Sequence, residues 1–528
     1  MPKITIDGKT IDVPPGTTII KAAEELGIYI PRYCYLKALS VVATCRMCLV
    51  EVEKAPKLMT ACSTPVTDGM VVYTNTEKVR KARQDILEFL LKNHPLDCPI
   101  CDQAGECFLQ DYYMDYGRYK SRFPKNLKIR RPKRRILGKY LVLDNERCIL
   151  CTRCVRFLKE VTKTSELCVR ERGDSSEIDL FQNRLVDNNY TLNLADICPV
   201  GAITSADFRF KKRVWFLNTA SSICLSCATG CNINVQYANG TIFRLLPREN
   251  NKVNGLWMCD TGRLSYKKTL NGSQCVNSGS YKGGKFTVME YSEVIDNVQK
   301  LIRETIKRDD KDSIGVLGSG LLSLEDNFAL AELAKNVIGT RFLCMDFPFE
   351  QGISDGILIN KDPLPDTKGA RLIHNAYGGV SLDEFLKALN SGRIQILIVA
   401  GNDLGLLNKK INTERVRTIG LYSNFEHIFT DIDYLLPVPS YFALKGLFIN
   451  YAGIVQKTEP AIKIPEGVKP VWAYVQELSL LLGYDPGLRD AHSVLKKLNE
   501  RVKNLENIDY DKAGREGIKI EKINETGS

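Results

Sequence analysis

The sequence has no run of about 18 consecutive apolar residues, so no membrane-spanning helix is expected. Its opening stretch, MPKITIDGKTIDV, has no apolar core of the kind a secretory signal carries, and none is expected there. Histidine is scarce, with four in 528 residues, and after Cys275 only Cys344 remains among the cysteines. With no secretory signal expected, the cysteines should sit in a reducing compartment, where metal or redox use outweighs a disulfide framework. What is present suits a folded protein of several domains: 44% apolar and 26% charged residues on a chain too long for one core.

The formal net charge is +11, and much of it is local. From Arg118 to Lys139 there are eleven basic residues and no acid. Basic runs can bind nucleic acid, but no RNA- or DNA-binding motif accompanies this one. It is read as a connector or docking surface suited to acidic partners, with no nucleic acid expected.

Fifteen of the eighteen cysteines and one histidine fall into four quartets in the first half. The first is Cys34, Cys45, Cys48 and Cys62, spaced C-x10-C-x2-C-x13-C. Upstream, Ile4–Ile6 and Thr10–Val13 flank Asp7-Gly8, a hairpin signal. Thr17 or Thr18 can cap a helix that runs through Leu26 and ends at Gly27. Strand, strand, helix and cysteine loop is the order of a β-grasp ferredoxin. Four thiolates there suit a [2Fe–2S] rhomb, two per iron. A structural zinc site is the competing reading.

The second quartet follows a predicted amphipathic helix over 77–93, with Ile86, Phe89 and Leu90 on its apolar side. Pro95 places its end at Asn93 or His94. Cys98, Cys101 and Cys107 leave a four-ligand site one donor short, and His94 stands just upstream. The third quartet, Cys148, Cys151, Cys154 and the remote Cys198-Pro199, has the bacterial ferredoxin spacing for a [4Fe–4S] cubane. A second cubane would need cysteines where Asn188, Thr191 and Leu194 stand, and a Cys-Pro where Leu158-Lys159 stands. Cys168 fits neither pattern and is read as a buried small hydrophobe. The fourth quartet is Cys224, Cys227, Cys231 and Cys259, with a β-meander turning at Asn239-Gly240 between its third and fourth members.

Residues 273–528 read as α/β. Strands are expected at Ser313–Leu317, Phe342-Leu343 and Ile394–Val399, and a helix from about Leu324 to Val337. Gly318-Ser319-Gly320 and Gly401-Asn402-Asp403 follow two of these strands. The first glycine turn does not match G-x-G-x-x-G and is better read as a tight strand-to-helix turn than as a phosphate cradle. No metal-ligand cluster occurs here, and Cys275 and Cys344 are read as core. The last residues, from Gly514 on, read as a polar tail.

The first gap in quartet one, the LDCPICDQAGEC core around quartet two and the spacing of quartet three together resemble the G-type large iron–sulfur subunit family of NADH:quinone oxidoreductase (respiratory complex I). The fourth quartet resembles the N-terminal [4Fe–4S] domain of molybdopterin oxidoreductases, which only some members of that family keep. Asp433–Gln456, with Gly446, Asn450 and Gly453 at its turns, is similar to a segment of the same superfamily. Thr261 stands where pterin enzymes often carry lysine, so no molybdopterin is expected.

The resemblance implies a multidomain α/β and α+β chain. Its parts would be a [2Fe–2S] β-grasp domain (1–78), a histidine-ligated [4Fe–4S] domain (79–130) and a ferredoxin-like [4Fe–4S] domain (131–215). A molybdopterin-oxidoreductase-type [4Fe–4S] domain (216–272) and a truncated, degenerate α/β scaffold of that superfamily (273–528) would follow. It implies one [2Fe–2S] and three [4Fe–4S] clusters, iron held through the sixteen quartet residues, and no catalytic residue on this chain. The partners would be an NADH-oxidising FMN flavoprotein, a [2Fe–2S] subunit and quinone-facing peripheral-arm subunits, at the cytoplasmic side of a bacterial inner membrane. An electron-relay subunit of a related hydrogenase or formate dehydrogenase is the alternative. A zinc-stapled binding protein is a third reading.

Overall fold

The computed structural model describes residues 1–124, 128–171, 173–270, 273–308, 310–347, 352–401, 416–428 and 430–520. Lys125, Asn402, Asp403 and residues 521–528 of the expected basic run, glycine turn and tail therefore lie outside the described residues. The chain divides into two compact units, Met1–Leu217 and Asn218–Ser528.

The first unit begins with a β-grasp. Strands β1 (Lys3–Ile6) and β2 (Lys9–Asp12) pair antiparallel around Asp7 and Gly8, whose φ values are 46° and 83°. Both central residues are left-handed, the geometry that matches the twist of a two-residue hairpin. Ile4 and Ile6 point inward onto helix α1 (Ile19–Glu25), while Thr5 meets Thr10 on the outer face. Strands β3 (Leu49–Val52), β4 (Met59–Thr60) and β5 (Met70–Tyr73) complete a sheet ordered β2-β1-β5-β3-β4, with β1 and β5 parallel. Each buried isoleucine here contributes about 1.5–3 kcal/mol of apolar transfer. Thr18 occupies the cap of α1, yet its hydroxyl makes no cap bond. Gly27 (φ 71°) turns the chain away after the helix.

Helix α2 (Glu77–Asn93) has the expected bounds, and Thr76 caps it by accepting from the Val79 amide. Its buried side is different from the expected one. Val79, Arg83 and Leu87 face inward, Ile86 and Leu90 are half-buried, and Phe89 is exposed. The reason is Arg83, whose guanidinium donates to the Leu49 carbonyl and the Tyr116 hydroxyl, both at 3.2 Å. That anchoring rotates the helix, and Phe89 packs instead against Phe123. Helix α3 (Phe108–Tyr116) lies against α2.

A three-stranded sheet follows, made of β6 (Arg135–Ile136), β7 (Leu141–Leu143) and, from further along, Ile203–Ser205. Between them come α4 (Arg153–Glu160), the hairpin β8 (Leu167–Arg170) and β9 (Glu177–Leu180), and α5 (Asn193–Ile197). Ile203–Ser205 is β10. Leu158, Thr191 and Leu194 are buried, and the Asn188 amide donates to Glu166 at 3.1 Å. Ordinary side chains thus fill the place of a second cubane. Cys168 is only half-buried, on β8, and is not the core residue expected, because the two-stranded hairpin leaves it partly uncovered.

The basic connector is tied to this unit's own acids. Arg122 pairs with Glu88 and Asp85, Lys133 with Asp97 and Glu146, and Arg135 with Asp179.

The second unit opens with the meander β11 (Asn218–Ile223), β12 (Asn232–Ala238) and β13 (Thr241–Pro247), turning at Asn239 (φ 50°) and Gly240 (φ 76°). Helix α6 (Asp260–Leu270) packs on it. A seven-stranded sheet comes next. Its edge hairpin is β14 (Gly279–Lys282) and β15 (Lys285–Val288). Helix α7 (Tyr291–Lys307) leads to β16 (Ile314–Leu317), α8 (Leu324–Glu332) and β17 (Leu343–Cys344). Helices α9 (Thr367–Ala376) and α10 (Leu382–Asn390) precede β18 (Ile396–Ala400), β19 (Arg417–Tyr422) and β20 (Ile432–Pro437). The order is β15-β14-β20-β19-β18-β16-β17, and the five strands from β20 to β17 are parallel. The fully buried runs IGVL and ILIVA are what a sheet covered on both faces requires.

The expected helix to Val337 changes character at Leu333, where a wider π turn runs to Ile338 before Gly339 (φ 81°). The Gly318-Ser319-Gly320 turn is closed by Asn327, whose amide binds both the Ser319 amide and carbonyl. A small sheet ordered β21 (Leu447–Ile449), β22 (Ile454–Lys457) and β23 (Ile518–Lys519) follows, so part of the expected polar tail is a paired strand. Two buried acids terminate its free edge. Glu325 accepts from the Leu447 amide at 3.0 Å, and Asp366 accepts from the Ile449 amide at 2.6 Å. Cys275 and Cys344 are buried in the core, as expected. Among the described residues no helix is long and apolar enough to cross a membrane.

Candidate metal centres

The loop between α1 and β3 carries Cys34, Cys45 and Cys48, and Cys62 follows β4. Left-handed Ala43 (φ 51°) and Arg46 (φ 59°) bend that loop. The sulfurs sit as two pairs. A hydrogen bond from Cys45 holds the Cys34 thiol down at about 5, and the same bond pushes Cys45 up. Cys62 likewise lowers Cys48 and is itself raised. The Cys34 amide donates to the Cys45 sulfur at 3.4 Å. Two pairs of sulfurs match the two-per-iron grouping of a rhomb.

His94 caps α2 at its C-terminal end. Burial, with Arg147 and Lys128 nearby, pushes the imidazole down to about 4, so the ring is neutral near pH 7, the form a metal ligand takes. Its Nδ1 is buried with no hydrogen-bond partner. Cys101 and Cys107 are buried, and burial raises both thiols, Cys107 to about 12. Cys98 is exposed. The charged groups around His94 are Arg147, Lys128 and Asp97.

Cys148, Cys151, Cys154 and Cys198 line one small cavity together with Leu143, Ile178, Val200 and Ile203. Left-handed Leu150 (φ 53°) and Thr152 (φ 59°) wrap the C-x2-C-x2-C loop around it. The Leu150 amide donates to the Cys148 sulfur at 3.4 Å. Burial and mutual repulsion push Cys148 up to about 12 and Cys151 to about 11, and Cys154 well above the ordinary thiol range.

In the second unit Cys224 and Cys231 lie in the core beneath the meander, bridged by the Cys224 amide donating to the Cys231 carbonyl at 2.8 Å. Cys259 precedes α6, and the Gly262 amide donates to its sulfur at 3.3 Å. A Cβ at Gly262 would fall 2.8 Å from the Cys224 sulfur and 3.4 Å from that of Cys259. Burial and the neighbouring sulfurs raise Cys224 to about 12 and Cys259 to about 11. Cys227 adds to the repulsion on Cys231, Cys224 and Cys259. Thr261 lies within α6.

Buried thiols that raise one another's pKa become stable thiolates only around a compensating cation. Backbone amides aimed at sulfur suit the same occupant. Among the described residues no three His, Cys, Asp or Glu side chains converge tightly enough to hold a single ion. The donor sets fit sulfide-bridged iron.

Four family profiles match in order along these modules. They are a 2Fe-2S iron–sulfur cluster binding domain (residues 2–77), the NADH-ubiquinone oxidoreductase-G iron–sulfur binding region (83–122), the ferredoxin-like domain of NADH-quinone oxidoreductase subunit 3 (138–204) and the NDSU1/NuoG-like 4Fe-4S domain (217–267). The G subunit of NADH-quinone oxidoreductase from Rickettsia felis is 37% identical over 350 residues, 66% of this chain and 51% of the relative. Over these modules the chain is similar to the G subunit of NADH-quinone oxidoreductase. The 75 kDa subunit of NADH-ubiquinone oxidoreductase from Reclinomonas americana is 40% identical over 337 residues, 63% of this chain and 47% of that one. The chain spans about half the length of the curated relatives it matches. A chain in the crystal structure of an NAD+-reducing [NiFe]-hydrogenase in its H2-reduced state is 30% identical, over 40% of this chain and 91% of that one, with a TM-score of 0.37.

Several residues around the cysteine motifs escaped the sequence reading. Arg153 and Arg156 on α4 are buried, and Arg153 donates to the Tyr35 carbonyl at 2.7 Å and the Ile197 carbonyl at 3.3 Å. Gly201, three residues after Cys198, would place a Cβ 2.3 Å from the Cys101 sulfur. The signal was available. Two arginines three apart share a helical face, and both flank a ligand on α4.

Proposed function

We propose that this chain is an electron relay holding one [2Fe–2S] and three [4Fe–4S] clusters through Cys34, Cys45, Cys48 and Cys62; His94, Cys98, Cys101 and Cys107; Cys148, Cys151, Cys154 and Cys198; and Cys224, Cys227, Cys231 and Cys259. Bound clusters supply one-electron carriers. The chain's part is to bury the thiolates, aim amides at their sulfurs and set their spacing. The observation that carries the reading is the third quartet, four thiols from two distant segments lining one small apolar cavity.

The domain limits follow as proposals at 1–78, 79–130, 131–215, 216–272 and 273–528. The last is read as a molybdopterin-oxidoreductase-like α/β scaffold without pterin. Its parallel sheet supports an α/β scaffold. Three hydrogen bonds support the order first, third, second among the centres of unit one. Arginines of α4 bind the carbonyls of Cys34 and Tyr35, and the Pro199 carbonyl accepts from the Phe108 amide beside Cys107 at 3.0 Å.

The parent assembly would be a proton-translocating NADH:quinone oxidoreductase, peripheral on the cytoplasmic side of a bacterial inner membrane. Electrons would arrive from an FMN flavoprotein and a [2Fe–2S] subunit and leave towards quinone-facing subunits. In the assembled complex Cys151→Ser should leave NADH oxidation by an artificial acceptor intact and abolish quinone reduction. Quinone reduction at the wild-type rate would overturn the relay.

A further inference from the structure

Arg156 touches two quartets at once. Its relative exposure is 6%, and it lies on α4 between two ligand-bearing loops. One guanidinium nitrogen donates to the Cys34 carbonyl at 2.6 Å and to the Cys151 carbonyl at 3.1 Å. The other terminal nitrogen reaches the Ser40 carbonyl at 2.5 Å, and Nε reaches the Thr152 hydroxyl at 3.3 Å. The Ser40 amide donates in turn to Glu160, one turn along the same helix, at 2.8 Å. Two of the four acceptors are therefore backbone carbonyls of cluster ligands, one from the first quartet and one from the third.

We propose that Arg156 is a positioning residue that couples the first and third centres, locking their ligand loops together through one planar fork and biasing both towards the reduced state with one buried positive charge. This rests on the cluster reading above. Arginine suits the task because its guanidinium keeps its charge when buried and reaches several carbonyls in fixed directions. Lysine offers a point charge without the fork. All its polar partners here are neutral: three carbonyl oxygens and one hydroxyl. Glu160, one turn along α4, accepts from both the Ser40 amide and its hydroxyl. Among the described residues the guanidinium makes no direct ion pair, and its charge lies against the Cys34 and Cys151 carbonyls.

An added electron is favoured by a nearby cation. Removing that cation should lower the reduced-to-oxidised ratio of each centre on the order of tenfold at a fixed potential, which for a one-electron couple is 59 mV. The test is a redox titration followed by EPR on the full chain, reconstituted anaerobically, as wild type, Arg156→Gln and Arg156→Lys. The proposal expects both the [2Fe–2S] and the third-centre midpoints to fall in Arg156→Gln, and to stay within about twofold of wild type in Arg156→Lys. A loaded Arg156→Gln chain with neither midpoint moved, or only one, overturns the coupling and leaves the cluster reading standing. Should Arg156→Gln fail to load, relaxation in the wild-type chain decides. The [2Fe–2S] signal should relax faster once the third centre is also reduced, and unchanged relaxation overturns the proposal. A wild-type chain that binds no iron–sulfur cluster refutes the functional reading, and this inference with it.

Discussion

Replacing Gly201 by alanine separates metal binding from folding. The added methyl would stand 2.3 Å from the Cys101 sulfur and 3.1 Å from Cβ of Gln103. Ordinary contact between such atoms is roughly 3.5–4.0 Å, so the overlap with sulfur exceeds about 1 Å. In the metal-free chain the sulfur is the end of a short side chain and can rotate away. The cost to folding is then that of modest overpacking, about 1–3 kcal/mol. A ligating sulfur cannot rotate away without leaving its iron. Gly201→Ala should therefore fold, with a melting temperature lowered by a few degrees, and bind close to four fewer irons. The missing EPR signal should be that of the histidine-ligated centre, with the [2Fe–2S] signal untouched. Thermal melts of the metal-free chain, iron and acid-labile sulfide assays and EPR of the reconstituted chain measure each part. Full iron content with an unaltered second-centre signal would refute the placement of Cys101 against Gly201.

His94→Cys should keep a cluster at the second site but lower its midpoint, because a thiolate adds a negative charge where imidazole added none; an unshifted EPR redox titration would contradict the charge argument. Asp326 is buried, and burial raises its carboxyl to about 7. Its folded value lies above the unfolded value of about 3.9, so its contribution to stability is full below about pH 4 and is lost as pH rises towards 7. Asp326→Asn, which keeps an acceptor for the Trp472 amide, should flatten that slope in urea melts between pH 4 and 8; identical slopes would count against the assignment. Cys344→Ser should leave all cluster signals and iron content unchanged, since Cys344 is fully buried on β17, where it packs in the apolar core; a lost signal would mean a ligand set was misread.

Much of the iron–sulfur half was legible because its geometry is written in local spacing. Asp7-Gly8 announced the hairpin, Pro95 stopped α2 at His94, and Asn239-Gly240 turned the meander. The buried strands of the second unit were legible as apolar runs. What escaped depends on partners distant in sequence. Phe89 looked like a core residue until Arg83 found the Leu49 carbonyl. Thr18 stands at a cap but makes no cap bond, and helix α8 widens into a π turn that no residue pattern announced. Gly201 and Arg156 matter only because the Cys198 loop meets Cys101 and α4 meets the Cys34 loop, contacts spanning about 100 residues of chain or more.

The most direct measurement is the iron, acid-labile sulfide and zinc content of the anaerobically purified chain. Clusters of one [2Fe–2S] and three [4Fe–4S] require about fourteen irons and as many sulfides per chain. A colourless protein carrying three or four zinc ions and no sulfide would contradict the account.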